Sequence, residues 1–471
     1  MLENVKKIHD ASMKILSETG MKFHHPDAQK VLRDHGIRMD GNRAFFTEEQ
    51  VMKYVKMAPS ICKIHAKNST FDISVGGSNV YNGPSAGPTF VMDKNGNKRE
   101  ATLEDYIKLL KLYEQNPAYM INGGQACVPS DLDPSIESLA LHYVALMHTD
   151  KTIWVGSGTY QEMEAVIDLT CAAFQIKKED LQNGQYVINC VNTNSPLQFD
   201  KRMTETLFTF GKYKQPVIIA AAAMAGTTAP VTMAGTLAMV NAEVLATIAL
   251  AEMNVEGCPV IYGSQTANAD LSTCAIAIGS PEAALYYQYC AELAKYYNLP
   301  CRGGGALTDA KSLDVQAGYE SMLTYYTCRN SKINIILQSA GILESYLSVS
   351  FEKLMVDFEI IDMVNRFFKD FAVDEETLPL ELIRKVGPGG QFLMEEHTFE
   401  FCRSETFHPS VSVRGPKVDP SHVYLDNIQK KMETMLNTYK KPKRDESVVE
   451  KMQEILMREG IGEDTIQYLN Q

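Results

Sequence analysis

The chain has 471 residues, 22% of them charged and 45% hydrophobic, with a net charge of −13. That balance is ordinary for a folded globular protein and excludes bulk disorder. An acidic chain with no basic stripe also excludes a nucleic-acid surface. The length suits one large barrel with extensions, or two domains.

The N-terminus MLENVKKIHDASMKIL carries Glu3, Lys6 and Lys7 and no sustained apolar core, so no signal peptide is read there and a cytoplasmic protein is expected. Residues 3–57 read as helices. Val5, Ile8, Ile15 and Leu16 line one face, Gly20 stops the first helix, and Thr47 with Gln50 makes a capping box for another. Residues 1–74 are expected to form a helical cap. A hairpin follows, Pro88–Asp93 and Lys98–Ala101, turning at Asn95-Gly96.

Between residues 75 and 370, eight short apolar runs each end in a loop of Gly, Ser, Thr, Asn and Gln. The runs are Val80–Asn82, Tyr119–Asn122, Thr152–Val155, Tyr186–Cys190, Val217–Ala221, Val260–Tyr262, Pro300–Arg302 and Ile333–Gln338. Helical patterns separate them, with Thr102 and Pro281 as helix starts. Continuous apolar strands are buried on both faces, which a parallel sheet coated by helices provides. The chain is therefore predicted to fold as an α/β protein, a (β/α)₈ TIM barrel with N- and C-terminal helical extensions. The uncharged run Pro216–Ala242 is long enough to suggest a membrane span, but Gly226, Pro230 and Gly235 break it into strand, loop and buried helix. The ten cysteines, without a CxxC pair, read as buried reduced thiols.

Beyond the barrel, residues 371–471 are expected to form a long loop over the barrel mouth, centred on 387–415, and then helices near Tyr424–Tyr439 and Glu446–Arg458.

In such a barrel, function lies in the loops at the strand C-termini. These loops are rich in neutral hydrogen-bonding groups, among them Asn192, Gln265 and Gln338. Charged exceptions are few: Arg302, Asp270, Asp309 and Lys311. Neither an activated nucleophile with its base nor a carboxylate pair is evident. Metal sites are not expected: His142 and His148 are spaced off-face on a helix, and HExxH is absent. Gly303–Gly305 lacks the spacing of a dinucleotide loop.

The stretches GGGALTDAKSLDVQAGYES (303–321), LQSAGILES (337–345) with FEKLMVDFEI (351–360), and VGPGGQFLMEEHT (386–398) occur in order. Together with the start of the chain and YNGPSAGP, they resemble the trimethylamine methyltransferase superfamily. The resemblance implies a barrel that moves a methyl group from a methylated amine to the Co(I) corrinoid of a partner protein. Founding members use pyrrolysine. Its absence here resembles the branch acting on quaternary amines such as glycine betaine, proline betaine, carnitine and butyrobetaine. No DxHxxG corrinoid-binding motif occurs, so no cofactor is expected in this chain and the corrinoid is assigned to the partner.

A quaternary ammonium already carries a full positive charge and leaves as a neutral amine, so the protein must mainly bind and aim it. Tyr81 and Phe392, with Tyr262, are the aromatics expected around the cation. His397, Arg302 or Lys311 would meet a carboxylate, and Gln338, Asn192 and Gln265 complete the wall. Two other readings stand beside this one: a non-catalytic barrel that captures a small cationic solute, and a lyase or transferase with Lys311 as base. Lys311 reads equally as an ion-pair partner of Asp309, and a homo-oligomer is compatible with the apolar helices.

Overall fold

The computed structural model describes residues 1–416 and 423–470. Eight parallel strands form its centre: β1 (Tyr81–Asn82), β2 (Ile121–Gly123), β3 (Thr152–Val155), β4 (Val187–Thr193), β5 (Val217–Ala221), β6 (Val260–Ser264), β7 (Cys301–Gly303) and β8 (Ile335–Ile336). They are hydrogen-bonded in the order β1-β8-β7-β6-β5-β4-β3-β2, and a parallel bridge from Asn82 to Tyr119 closes the ring. The predicted barrel is thus observed, with Thr152–Val155 and Val217–Ala221 matching their predicted runs residue for residue.

Each strand is followed by a helix: α1 (Leu103–Gln115), α2 (Glu137–His148), α3 (Tyr160–Phe174), α4 (Lys201–Lys212), α5 (Met233–Asn254), α6 (Pro281–Tyr296), α7 (Val315–Asn330) and α8 (Phe351–Phe368). Local chemistry starts them where they start. Thr102 and Thr159 make capping boxes with Asp105 and Glu162, and Asp200, Ser280, Asp314 and Ser350 accept backbone N–H bonds as N-caps. Because the strand side chains alternate, Ile188, Ile218 and Ile261 fill the barrel, whereas Val187, Val217 and Val260 pack under the helices. Helix α5 is long and apolar enough for a membrane, yet 83% of its apolar window is buried inside the fold, so tertiary packing accounts for its composition.

The N-terminal end of the barrel is closed. A hairpin of Cys62–Ile64 and Ile73–Val75 adds Cys62, Ile64, Ile73 and Val75 to the inner apolar layer. Thr152 Oγ1, at the start of β3, donates to the Phe71 carbonyl at 3.1 Å, and Ser74 N donates to the Tyr81 hydroxyl at 3.2 Å. Any small molecule must therefore enter from the strand C-termini.

Two expectations are revised. Residues 3–57 are not purely helical: Met21–Phe23, Arg38–Asp40 and Arg43–Phe45 join Gln198–Phe199 in a small sheet, because the chain after Gly20 pairs with the loop following β4. The segment 387–415 is not one long loop. It holds the helix Glu396–Glu405, preceded by Leu380–Val386. Seven of the ten thiols are buried, but Cys274 is exposed on a left-handed turn residue (φ 59°).

The C-terminal helices Val423–Thr438 and Glu446–Arg458 pack on the helical coat. Tyr439 stacks on His148 of α2, and its hydroxyl donates to the His148 carbonyl. Burial holds His142 and His148 neutral, pushing each from 6.5 to about 3; Lys441, Lys111 and Arg444 add to the effect at His148. Both folded values lie below the unfolded one, so the unfolded chain binds more protons as pH falls from 6.5 towards 3. Stability is expected to fall through that window by up to about 1.4 kcal/mol per pH unit for each imidazole. Urea midpoints between pH 7 and 4.5 check this, and replacing both by Leu should flatten the slope.

Candidate active site at the strand C-termini

The open end of the barrel is built around Arg302. This residue is on the inner side of β7 and only 1% exposed. Its Nη2 donates to Gln338 Oε1 at 2.7 Å, its Nη1 donates to the Ser264 carbonyl at 3.2 Å, and its Nε has no partner. Gln265 Nε2 donates to the same Gln338 oxygen at 2.7 Å. Among the described residues no Asp or Glu makes an ion pair with Arg302. A buried guanidinium held only by neutral oxygens keeps an unbalanced positive charge, a costly arrangement unless an anion completes it.

The neighbouring backbone is strained in the same place. Gln338 has φ 51°, and Glu344, Ser345 and Tyr346 follow one another at φ 52°, 55° and 78°. Three successive non-glycine residues in the left-handed region persist only where the surroundings hold them. Here Ser345 Oγ donates to Asp309 Oδ1 at 2.6 Å, and Glu344 N donates to the Ala310 carbonyl. The turn buries the Tyr346 hydroxyl beside that of Tyr287 of α6. Burial pushes both phenols up, while Arg302 acts on both in the opposite sense. The Gly303–Gly305 run is explained sterically: a Cβ on Gly304 would lie 2.4 Å from the Tyr287 hydroxyl, and one on Gly305 2.3 Å from Ser339 Cα.

Beneath these loops is a buried ion pair. Lys353 Nζ of α8 donates to Asp357 Oδ2 (2.6 Å), to Ser321 Oγ and to the Ala306 carbonyl in the β7 loop; Gly341 N in the β8 loop donates to the same Asp357 oxygen. Both loops that frame Arg302 are thereby tied to one helix.

Across the barrel from β7 is β3, whose inner residue Trp154 is the only tryptophan in the sequence. Its indole lies beneath Gly124 (φ 64°), where a Cβ would be 2.0 Å from the ring. Cys190 and Asn192 continue the inner side of β4; Ser157 Oγ donates to the Cys190 carbonyl, and Asn192 Oδ1 is buried without a partner. Gln125 Nε2 donates to Glu137 Oε1 at 2.8 Å. The loop after β4 is fixed by Glu243 of α5, which accepts from Thr193 Oγ1, Ser195 Oγ and Leu197 N.

Of the residues singled out in the sequence, Arg302, Gln265 and Gln338 are in direct contact, and Asn192 points into the same barrel. The others are not brought to them. The Tyr81 hydroxyl accepts from the hairpin at the closed end, and the Tyr262 hydroxyl donates to Asn241 of α5 in the helical layer. Lys311 is exposed, and Asp309 is engaged by Ile278 N, Gly279 N and Ser345 Oγ instead. Phe392 lies in the segment after α8, as does His397, whose Nε2 is 3.1 Å from the Glu376 carbonyl and whose ring packs on Phe401. Sequence reasoning missed Trp154, Tyr346 and Tyr287. For Trp154 the clue was a lone indole one residue before the end of an apolar run. Nothing local marked the tyrosines.

Residues 2–460 match the family described as trimethylamine methyltransferase (MTTB). The chain belongs to that family. It is 34% identical over 467 residues to a glycine betaine methyltransferase of Desulfitobacterium hafniense (strain Y51), covering 98% of this chain and 97% of the relative. It is 30% identical over 413 residues to the trimethylamine methyltransferase MttB of Methanosarcina barkeri (strain Fusaro / DSM 804), covering 84% and 81%. A solved monomethylamine methyltransferase (MtmB) of Methanosarcina barkeri aligns with 92% of this chain and 87% of its own at 11% identity and a TM-score of 0.47. This family member is a methyltransferase, and the full-length likeness to a glycine betaine methyltransferase accords with the branch that lacks pyrrolysine.

Proposed function

We propose that this chain moves a methyl group from a betaine-type quaternary amine to the Co(I) corrinoid of a partner protein. The observation that carries the betaine class is Arg302, a buried cation without a carboxylate partner at the substrate end of a methyltransferase barrel. A tertiary amine offers it nothing. A betaine brings a carboxylate to pair with Arg302 and, across the barrel, an ammonium to meet the Trp154 side. A cation over an indole face gains about 0.5–2 kcal/mol, and more where water is excluded.

The corrinoid of the partner supplies the nucleophile. The residues of this chain bind and aim: Arg302 takes the carboxylate, Gln338, itself held by Gln265, fixes the guanidinium, and Asn192 lines the wall. Transfer breaks one N–CH₃ bond, its electron pair stays on nitrogen, and the amine leaves neutral, so no residue needs to donate a proton. Fixing carboxylate and ammonium together turns the methyl towards the open end, where orientation lowers the barrier.

The test is to mix the protein with a panel of glycine betaine, proline betaine, carnitine, butyrobetaine and trimethylamine in the presence of Co(I) corrinoid, and to follow conversion of the Co(I) spectrum to methyl-Co(III). Conversion with a carboxylated quaternary amine is expected. Conversion with trimethylamine alone would refute the reading, and tight binding of a betaine without conversion would favour a capturing barrel. Trp154 makes binding separately visible: a bound betaine should change the single-tryptophan emission.

A further inference from the structure

Two tyrosines at the open end have no part in the function proposed above, although both are close enough to Arg302 for its charge to act on them. Tyr287 is fully buried and projects from α6 under the β7 loop: a Cβ on Gly303 would lie 3.3 Å from its ring, and one on Gly304 2.4 Å from its hydroxyl. Tyr346 comes from the β8 loop, and its buried hydroxyl meets that of Tyr287, with the Gln265 side chain beside it. Burial keeps both phenols protonated, so each brings one O–H donor.

Acceptors at this corner are already taken. Gln338 Oε1 accepts from Arg302 Nη2 and Gln265 Nε2, the Ser264 carbonyl accepts from Arg302 Nη1, and the Asp309 carboxylate accepts from Ile278 N, Gly279 N and Ser345 Oγ. Two phenols that face each other satisfy one proton between them, and the other needs an acceptor from outside the pair. Arg302 Nε is buried and also lacks an acceptor. A carboxylate, with two oxygens and a negative charge, satisfies both. The backbone is an independent observation. Tyr346 ends the run of three successive non-glycine residues at positive φ, at 78° against about 57° for the left-handed well. The turn is clamped there: Ser345 N donates to the Thr308 carbonyl, and the Glu344 carboxylate accepts from Lys98 Nζ and Ser348 Oγ. A disfavoured turn held this firmly fixes where its side chain points, and such strain gathers at ligand clamps.

We infer that the Tyr346 hydroxyl is a specificity-determining donor that meets the substrate carboxylate beside Arg302, with Tyr287 donating to Tyr346 from behind. The inference rests on the betaine reading above and deepens it. Arg302 supplies the charge and Tyr346 a second fixed direction, so the carboxylate is held at two points.

Calorimetric titration tests it with Tyr346→Phe, which removes one oxygen and keeps the ring. The probes are glycine betaine, proline betaine, carnitine and butyrobetaine, of which the tightest is compared with tetramethylammonium, which has no carboxylate. The variant is expected to bind the betaine about 10- to 150-fold more weakly, the range for a hydrogen bond to a charged group, and tetramethylammonium within about twofold of wild type. An unchanged betaine affinity, or equal losses for both probes, overturns the inference. Arg302→Met beside it separates the two claims. Selectivity for the betaine that depends on Arg302 but not on Tyr346 sinks this inference alone; a wild type that binds tetramethylammonium as tightly as every betaine sinks the betaine reading and this inference with it. Should the Phe variant fail to fold, a crystal structure of the wild type with the bound betaine decides. The Tyr346 hydroxyl is expected about 2.5–3.0 Å from a carboxylate oxygen, and a separation beyond about 4 Å overturns the inference.

Discussion

Arg302→Met is expected to lower kcat/KM for a betaine by about 30- to 5,000-fold, the equivalent of the roughly 2–5 kcal/mol lost when one partner of a buried hydrogen-bonded charge pair is truncated. The guanidinium is held by Gln338 and Ser264, so its planar fork is fixed before substrate arrives. Arg302→Lys retains the charge but loses that fork, and an intermediate loss is expected. The decisive comparison is with a quaternary amine that has no carboxylate, such as tetramethylammonium. Its slower turnover should change far less in Arg302→Met. Equal losses for both substrates would show that Arg302 supports the fold of the site and does not contact substrate.

Lys353→Met is expected to cost about 3–5 kcal/mol of stability, because Asp357 is fully buried and would lose its cationic partner. Burial already pushes the Asp357 carboxyl up to about 6 with Lys353 beside it. The ammonium also carries the Ala306 carbonyl and Ser321, and Asp357 carries Gly341 N, so the β7 and β8 loops should loosen together. Denaturant unfolding of both single variants and of Lys353→Met with Asp357→Leu gives the coupling. The double variant should recover much of the loss, since two apolar groups leave no unpaired charge. If the single variants cost less than 1 kcal/mol, the pair is not what fastens these loops.

The barrel was legible because its cause is local and repeated. A strand buried on both faces must be apolar throughout, a βα loop must turn in few residues, and a helix must be capped; each requirement writes itself into a stretch of five to fifteen residues. The runs Thr152–Val155 and Val217–Ala221 and the Thr47 capping box therefore coincide with the structure. The strand-end amides Gln265 and Gln338 and the cation Arg302 were legible for the same reason, since a polar group at the end of an apolar strand has few other places to be.

Side-chain direction was not legible in the same way. Tyr81, Tyr262 and Trp154 all belong to apolar runs, but the pleat decides which face each takes and the hairpin Cys62–Val75 decides which end of the barrel is closed. Those contacts join residues far apart in sequence, so Tyr81 ends at the plug, Tyr262 among the helices and Trp154 inside. The segment after α8 shows the limit most directly. It read as one long loop, whereas it holds the helix Glu396–Glu405, and beyond that helix the Glu359 carboxylate of α8 accepts from the backbone of residues 410–412. By itself the sequence determined a parallel barrel, its helix starts and the polarity of its open end. Only the tertiary structure decided which buried charge lacks a counter-ion, that Tyr346 is held in left-handed strain beside it, and how residues 410–412 are fastened to α8, because each of these depends on what distant segments bring into the same few ångströms.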